Sequence, residues 1–113
     1  MRAAVSLEDT ALESLRHCRQ FLIERLEWQP GEAHGHIQQL ANTAVQRLAE
    51  NPATYATCRL ALDLGIDRYR ELLIDGYRVV YRSWPEQEEV SVYLFAHQRQ
   101  DFKQLLFEYQ LLS

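Results

Sequence analysis

Apolar residues recur every three or four positions along two stretches in the first half of the chain, a spacing that predicts two amphipathic helices. The apolar positions of the first stretch are Leu7, Ala11, Leu15, Cys18, Leu22 and Leu26. Those of the second, which ends before Asn51 and Pro52, are Ile37, Leu40, Ala41, Ala44, Val45 and Leu48. Residues 29–32 read Gln-Pro-Gly-Glu. Because proline and glycine interrupt helices, we expect a reversal there and an antiparallel helical hairpin.

The start of the first helix carries a signal of its own. Ser6 is followed three residues later by Asp9, a spacing typical of a helix-start box, and Glu8 adds negative charge that favours a first turn. The helix is therefore expected to begin near Leu7. Residues 2–6 before it predict a short opening strand.

A β-hairpin is the strongest local signal in the second half of the chain. Residues 69–74 and 77–84 are rich in aromatic and β-branched side chains, and only Asp75 and Gly76 separate them. An Asp-Gly pair between two such runs predicts a two-residue turn.

The rest of the chain completes an α+β pattern. A reversal at 85–88 leads to a third strand over 89–96, and apolar spacing over 101–112 predicts a closing helix. Residues 53–67 have no clean period and are expected to be irregular. The order β, α, α, β, β, β, α predicts a single α+β domain over 1–113. In it an N-terminal helical hairpin packs on a small, mainly antiparallel twisted sheet with a C-terminal helix.

The last strand has bulky residues in both of its registers. Val90, Val92 and Leu94 occupy one register, whereas Tyr93 and Phe95 occupy the other. Because side chains alternate between the faces of a sheet, both faces are expected to be partly apolar. We expect the helices to gather on one face. The second face would then be covered either by the closing helix or by a partner protein.

Charge narrows the choice of ligand. Sixteen acidic and 12 basic side chains give a net charge of −4, which argues against a general attraction to nucleic acid.

Lys103 is the only lysine, so the remaining basic residues are arginines. Arg78 and Arg82 share one side of the second hairpin strand, and Arg70 and Arg99 are expected to approach them. The alternative is a solvated face on which the arginines pair with nearby carboxylates. The candidate carboxylates are Glu71, Asp75, Glu88 and Asp101.

Cysteine and histidine positions give no sign of a metal or cofactor. Cys18 and Cys58 lie far apart in no Cys-x-x-Cys pattern, and we expect two small core residues of a reduced, cytoplasmic protein. No signal peptide or membrane-length apolar run is recognisable, so no membrane partner is expected. His34 and His36 fall in the expected helical turn without further residues at ligand spacing, which makes a metal site improbable.

Two segments carry a family resemblance. The first reads Gly76-Tyr77-Arg78-Val79-Val80-Tyr81, and the second reads His97-Gln98-Arg99-Gln100-Asp101. With their flanking strands they resemble the RelE/ParE superfamily of toxins from bacterial type II toxin-antitoxin pairs. The predicted order of strands and helices agrees with the fold that this resemblance implies.

The resemblance implies one of two activities. RelE-like members cut messenger RNA in the ribosomal A site, whereas ParE-like members poison DNA gyrase by protein contact. An RNA-cutting site would, by resemblance, use Arg70, Arg78, Arg99 and His97. Leu72 and Leu105 stand where such a site has a lysine and a tyrosine. Guanidinium groups are poor proton-transfer groups, so a ParE-like toxin is the preferred interpretation.

We therefore expect the toxin of a plasmid-stabilisation-like module that contacts DNA gyrase and is neutralised by a cognate antitoxin. The antitoxin tail would lie across the hairpin groove or the uncovered sheet face. The alternatives are a ribosome-dependent endonuclease acting on messenger RNA and a decayed member that retains only antitoxin binding. The residues expected to contact the target or the antitoxin are Arg70, Arg78, Arg82, Tyr93, Phe95 and Arg99.

Overall fold

The computed structural model describes residues 2–112, which form a four-stranded sheet and four α-helices. The strands are β1 (Ala4–Leu7), β2 (Arg70–Ile74), β3 (Tyr77–Trp84) and β4 (Glu89–His97). The helices are α1 (Asp9–Arg25), α2 (Pro30–Glu50), α3 (Arg59–Asp63) and α4 (Phe102–Glu108). The strand order is β1-β4-β3-β2; β1 is parallel to β4 and the other pairs are antiparallel. The predicted α+β class with a mainly antiparallel sheet is confirmed.

Helix α1 begins later than its sequence signal suggests. The helix starts at Asp9 with Glu8 as its N-cap, and no side chain caps it. The predicted role of Ser6 is wrong because Ser6 lies in β1, opposite Ser91 of β4. The amide of Glu8 still donates to the carbonyl of Val92 at 2.9 Å, so the chain leaves the sheet only there.

The turn between α1 and α2 is shorter than expected. Helix α2 already begins at Pro30, because a proline in the first helical position loses no intrahelical hydrogen bond. The reversal is made instead just before it, where Glu27 has a φ of 61°. His34 and His36 consequently lie in α2 and not in a turn, which corrects the sequence-based placement.

Residues 53–67 are less irregular than predicted. They contain α3, whose five residues are too few to produce a recognisable period, and Gly65 with a φ of 89° follows it. The β2–β3 turn, in contrast, is as predicted: Asp75 and Gly76 have φ values of 47° and 85°. These are the left-handed conformations that a tight two-residue turn of this kind requires.

The sheet has helices on both sides. We call the side covered by α1 and α2 the hairpin face and the side covered by α3 and α4 the far face. The expectation that all helices gather on one face is wrong, because the closing helix α4 buries Leu105 and Leu106 on the far face. The closing helix therefore covers part of the far face, which is one of the two expected alternatives; coverage by a partner protein stays a prediction.

A β-bulge at Tyr93 changes which side chains share a face. Val80 pairs with Leu94 and the next residue, Tyr81, pairs with Val92, so Tyr93 is an extra residue in β4. Val92 therefore joins the hairpin-face core, whereas Leu94 belongs to the far-face core. The predicted grouping of Leu94 with Val92 is wrong because simple alternation does not continue through a bulge.

Helix α1 takes the place of a strand beside β4 beyond the end of β1. The Thr10 hydroxyl donates to the carbonyl of Tyr93 at 2.6 Å, and the Ser14 hydroxyl accepts from the amide of Phe95 at 2.9 Å. The Cys18 thiol donates to the carbonyl of Phe95 at 3.4 Å. Three side chains spaced four residues apart on one helical stripe thus satisfy the open edge of β4.

Both cysteines are buried free thiols, as predicted. Burial raises the pKa of Cys18 to about 12 and also raises that of Cys58. Among residues 2–112, no helix has the length and apolarity needed to cross a membrane. The same residues contain no cluster of three or more His, Cys, Asp or Glu side chains suited to a metal ion.

Candidate target-binding surface

Arg78 and Arg82 project from β3 onto the far face, on either side of the buried Val80. Arg78 is held by two neighbours. Its Nη1 lies 3.5 Å from Oε2 of Glu71, and its guanidinium carbon lies 4.8 Å from the ring centroid of Phe102. The side chain is still 43% exposed, so part of the guanidinium group is available to a ligand.

Arg82 is ordered by an aromatic ring. Its guanidinium carbon lies 4.0 Å from the centroid of Trp84, two residues along the same strand. The indole is fixed in turn because its Nε1–H donates to the hydroxyl of Ser91 at 3.0 Å. Stacking of this kind contributes about 0.5–1 kcal/mol at exposed sites. Planar stacking leaves the edge N–H groups of the guanidinium free to bind carboxylate or phosphate.

The bulge residue Tyr93 lies beside this pair. Its ring meets that of Tyr69 edge-on at 5.7 Å, and the guanidinium carbon of Arg68 lies 4.9 Å from the centroid of Tyr69. Burial raises the pKa of Tyr93, while interactions with Ser91 and Arg82 oppose that rise. Guanidinium groups and rings therefore alternate across the far face. We call this set the arginine–aromatic face; its members are Arg68, Tyr69, Arg78, Arg82, Trp84, Tyr93 and Phe102.

Arg70 does not join this face. It pairs with Tyr81 in the sheet register and so lies on the hairpin face, where its Nη1–H donates to the carbonyl of Tyr55 at 2.7 Å. Tyr81 itself is fully buried, and burial raises its pKa to about 12. The four arginines grouped by sequence reasoning thus do not converge. Residues paired directly across two adjacent strands lie on the same face of the sheet, and successive residues of one strand alternate between the faces. Because Arg70 pairs with Tyr81, it lies on the face opposite to Arg78 and Arg82.

His97 is also on the hairpin face, at the end of β4. Its ring lies 5.3 Å from that of Phe21 and 5.0 Å from that of Tyr77. Its Nδ1 accepts a hydrogen bond from the backbone amide of Arg99 at 3.0 Å. Burial, with smaller contributions from Arg99 and His36, lowers the pKa of His97. Arg99 is exposed, and its charge acts on His97.

Phe95 lies in the core and not on a surface. It is 1% exposed on the hairpin face, because the bulge at Tyr93 separates the two aromatic residues that sequence alternation grouped together. Of the carboxylates considered as arginine partners, Glu71 pairs with Arg78. Within residues 2–112 no ion pair links an arginine to the others, and Asp101 instead accepts a hydrogen bond from the Gln104 amide at the start of α4.

Tyr109, the residue that follows α4, contacts α1. The hydroxyl of Tyr109 lies 2.5 Å from Nδ1 of His17, and Nε2 of His17 lies 3.2 Å from Oε1 of Glu13. Burial raises the pKa of Tyr109 to about 12. The predicted closing helix over 101–112 includes Tyr109, but no local sequence pattern points to a contact with α1. The chain of three side chains ties α4 to α1.

A groove between α1 and α2 is a second candidate surface, and it corresponds to one of the two places where the sequence analysis expects an antitoxin tail. It encloses about 310 Å³ and has an apolar floor. Leu12 in this groove is 49% exposed, which is unusual for a leucine on a packed helix. We call it the hairpin groove. Its lining residues are Leu7, Leu12, Leu15, Arg16, Arg19, His34, Ile37, Gln38 and Ala41.

Solved structures confirm the fold at low sequence identity. A free-state double mutant of the Escherichia coli toxin RelE matches with a TM-score of 0.59 at 16% identity, over 98% of this chain and 97% of that one. The isolated E. coli RelE toxin matches with a TM-score of 0.54 at 17% identity, over 97% and 99%. A chain of the RelBE2 toxin-antitoxin complex from Mycobacterium tuberculosis matches with a TM-score of 0.57 at 16% identity, over 86% and 99%.

Sequence comparison is more specific. No curated protein matches the chain. Residues 5–102, however, match the family described as the ParE toxin of the type II toxin-antitoxin system, parDE. The match includes β1 from Val5 onwards, the other three strands and both long helices, together with Arg78, Arg82 and Tyr93 of the arginine–aromatic face. The chain therefore belongs to the ParE toxin family of type II toxin-antitoxin systems.

Proposed function

We propose that this toxin acts without catalysis, by binding a protein target through the arginine–aromatic face, and that the target is DNA gyrase. The observation that carries the proposal is the separation of His97 from Arg78 and Arg82. The two arginines contact Glu71, Phe102 and Trp84. Phe102 and Trp84 cannot transfer protons, and Glu71 is committed to an ion pair.

Cleavage of a phosphodiester bond needs one group to accept a proton and another to donate one. His97 lies on the opposite face of the sheet, and its Nδ1 is already occupied by the amide of Arg99. A net charge of −4 also suits a protein target better than a large polyanion. Ordered arginines beside aromatic rings are, in contrast, typical of the central residues of protein interfaces.

Supercoiling assays with purified toxin, gyrase and relaxed plasmid test this proposal. We expect inhibition by the wild type, and loss of at least about tenfold in potency for Arg82→Gln and Trp84→Ala, since interface anchors typically contribute that much or more. Arg47→Gln is the matched control, because Arg47 is an exposed arginine on α2, away from the far face. Wild-type toxin that leaves supercoiling unchanged at high excess would contradict the proposal.

A ribosome-dependent endonuclease is the second candidate, and the alternation of rings and guanidinium groups favours it. Such an arrangement also suits single-stranded RNA, whose bases stack on aromatic side chains. Primer extension on translated messages after induction separates the two functions. Cuts at A-site codons would support the endonuclease, whereas gyrase inhibition without cuts supports the non-catalytic toxin. Full expression without growth arrest would favour a decayed member.

We further propose that a cognate antitoxin neutralises the toxin by placing an amphipathic helix in the hairpin groove. Arg16, Arg19 and His34 surround the apolar floor, so acidic residues beside apolar anchors would be complementary. The solved RelBE2 structure is itself a complex of toxin and antitoxin.

Co-expression with the product of the adjacent reading frame tests the groove. Leu12→Asp should abolish co-purification, because it places a charge on the apolar floor. Leu62→Asp is the control, since Leu62 is similarly exposed, at 42%, but lies on α3. Equal recovery of both variants would exclude the groove as the antitoxin site.

A further inference from the structure

Strand β2 forms one edge of the sheet, and its outer side is only partly paired. Ile74 and Tyr77 flank the two-residue turn and form a hydrogen-bonded pair, so the alternating ladder directs the N–H and C=O of Leu73 away from β3. Glu71 has the same orientation, and its amide donates to the carbonyl of Ala56 at 2.9 Å. Neither backbone group of Leu73 has a partner among residues 2–112.

The side chain of Leu73 is exposed at the same position. It is 65% exposed, on the far face beside Arg78. Proteins usually protect an open sheet edge with lysine, proline, a bulge or a covering segment, because unpaired strands recruit other strands. Leu73 combines unpaired backbone groups with a large apolar side chain, which is the arrangement found where a peptide strand adds to a sheet.

The chain itself already uses part of this edge. Thr57 pairs antiparallel with Arg70, and the amide of Cys58 donates to the carbonyl of Tyr69 at 2.8 Å. Residues 56–58 therefore act as a short additional strand that stops before Leu73. A strand from a partner protein could pair with β2 at Leu73 and would lie at the same distance from β2 as residues 56–58 do.

We propose that the β2 edge at Leu73 binds an extended segment of a partner protein, with an apolar residue against Leu73 and a basic residue towards Asp75. Glu71 is already paired with Arg78, whereas Asp75 is exposed and forms no ion pair among residues 2–112. This inference does not depend on the identity of the toxin's target.

A second copy of this chain fits the edge less well. Antiparallel pairing about a two-fold axis at Leu73 would place Asp75 of one copy opposite Glu71 of the other. Like charges directly opposite each other destabilise a strand pair. The charge pattern therefore favours a partner with basic residues.

Nuclear magnetic resonance titration of the full chain with the capped peptide Thr-Lys-Thr-Val-Thr tests the proposal, because its lysine and valine are two positions apart and so lie on one face of an added antiparallel strand, with valine against Leu73 and lysine towards Asp75. We expect chemical-shift changes confined to the β2 edge and slower hydrogen exchange of the Leu73 amide. The same peptide with glutamate in place of lysine should bind about tenfold more weakly or worse, because its charge would oppose Asp75. Absence of binding by the lysine peptide at millimolar concentration, or shifts centred elsewhere, would overturn the proposal.

Two variants locate the interaction. Leu73→Lys keeps the backbone groups but adds a charge at an exposed position, and it should weaken lysine-peptide binding by about tenfold or more. Leu73→Pro removes only an outward-directed N–H, which an edge strand tolerates, and should have a similar effect. Leu62→Lys is the exposed-leucine control on α3 and should bind as the wild type does. Unchanged binding by Leu73→Lys, or a dimer of the free chain that this variant dissociates, would overturn the proposal.

Discussion

The two faces of the sheet are packed very differently. The hairpin face is covered by α1 and α2, of 17 and 21 residues, which bury Tyr77, Tyr81 and Phe95. The far face is covered by α3 and α4, of five and seven residues, and leaves Arg78 and Arg82 partly exposed. Apolar burial on the hairpin face supplies most of the free energy of folding. The far face can therefore carry exposed side chains that bind a partner and add little to stability.

Phe95→Ala and Tyr93→Ala compare two aromatic residues that lie two positions apart on β4. Phe95 is 1% exposed, and its truncation should lower the free energy of unfolding by about 3–5 kcal/mol. Tyr93 is partly exposed on the far face, and its truncation should cost markedly less. Urea unfolding followed by circular dichroism measures both. Equal losses would show that the far face is as important for stability as the hairpin face.

Ser14→Ala tests whether α1 takes the place of a strand beside β4. The variant leaves the amide of Phe95 buried without an acceptor, which should cost about 1–3 kcal/mol. Ser6→Ala is the control, since Ser6 is exposed, and should change stability by less than about 0.5 kcal/mol. If the two serine variants unfold at the same urea concentration, the hydrogen bond to β4 contributes nothing measurable.

The pH dependence of stability should report the environment of His97. Its pKa is lowered in the folded protein, chiefly by burial, so the unfolded chain binds the proton more readily. The contribution of His97 to the free energy of unfolding is therefore fully present above roughly pH 6.5, the usual histidine pKa. This contribution is lost as the pH falls from there through the lower pKa of the folded state. His97→Asn keeps a side-chain acceptor for the Arg99 amide and does not titrate.

Urea unfolding of the wild type and His97→Asn at about pH 7.5 and about pH 5.5 isolates this contribution. The wild type should lose more stability on acidification than the variant does, since other titrating groups are common to both. Parallel losses in the two proteins would mean that His97 titrates in the folded state as it does in the unfolded chain.

Arg82→Gln should have the smallest effect on stability and a large effect on function. Its stacking on Trp84 is partly exposed, so the loss should be at most about 1 kcal/mol. Growth inhibition on induction should nevertheless be reduced if the arginine–aromatic face contacts the target. A variant that is stable and fully toxic would remove Arg82 from the proposed surface.

Sequence reasoning succeeded where the information is local. The Asp75-Gly76 turn, the two amphipathic helices and the burial of both cysteines follow from residue type and spacing. It failed at Ser6, where pairing of Glu8 with Val92 delays the helix, and at residues 30–36, which proline at the first helical position allows into α2. At Ser6 a hydrogen bond between distant strands outweighed the local sequence signal. At Pro30 the tolerance of the first helical position for proline did so.

The candidate site was predictable only in part. Arg78, Arg82 and Tyr93 were recognised from strand alternation and family resemblance, and they lie together on the far face. Their aromatic partners were not recognised, although Trp84 follows Arg82 at the spacing that places two strand residues on one face. Phe102 could not be connected with Arg78 from sequence, because their contact requires α4 to fold back on that face.

The sequence by itself determined the order of elements and the α+β class, because hydrophobic period and turn chemistry are properties of short segments. Only the tertiary structure decided which side chains meet. A single bulge at Tyr93 reversed the faces of the residues after it, and the register of β2 sent Arg70 and Arg78 to opposite sides of the sheet. Register and bulges depend on pairing between distant strands, so no local pattern in one strand specifies them.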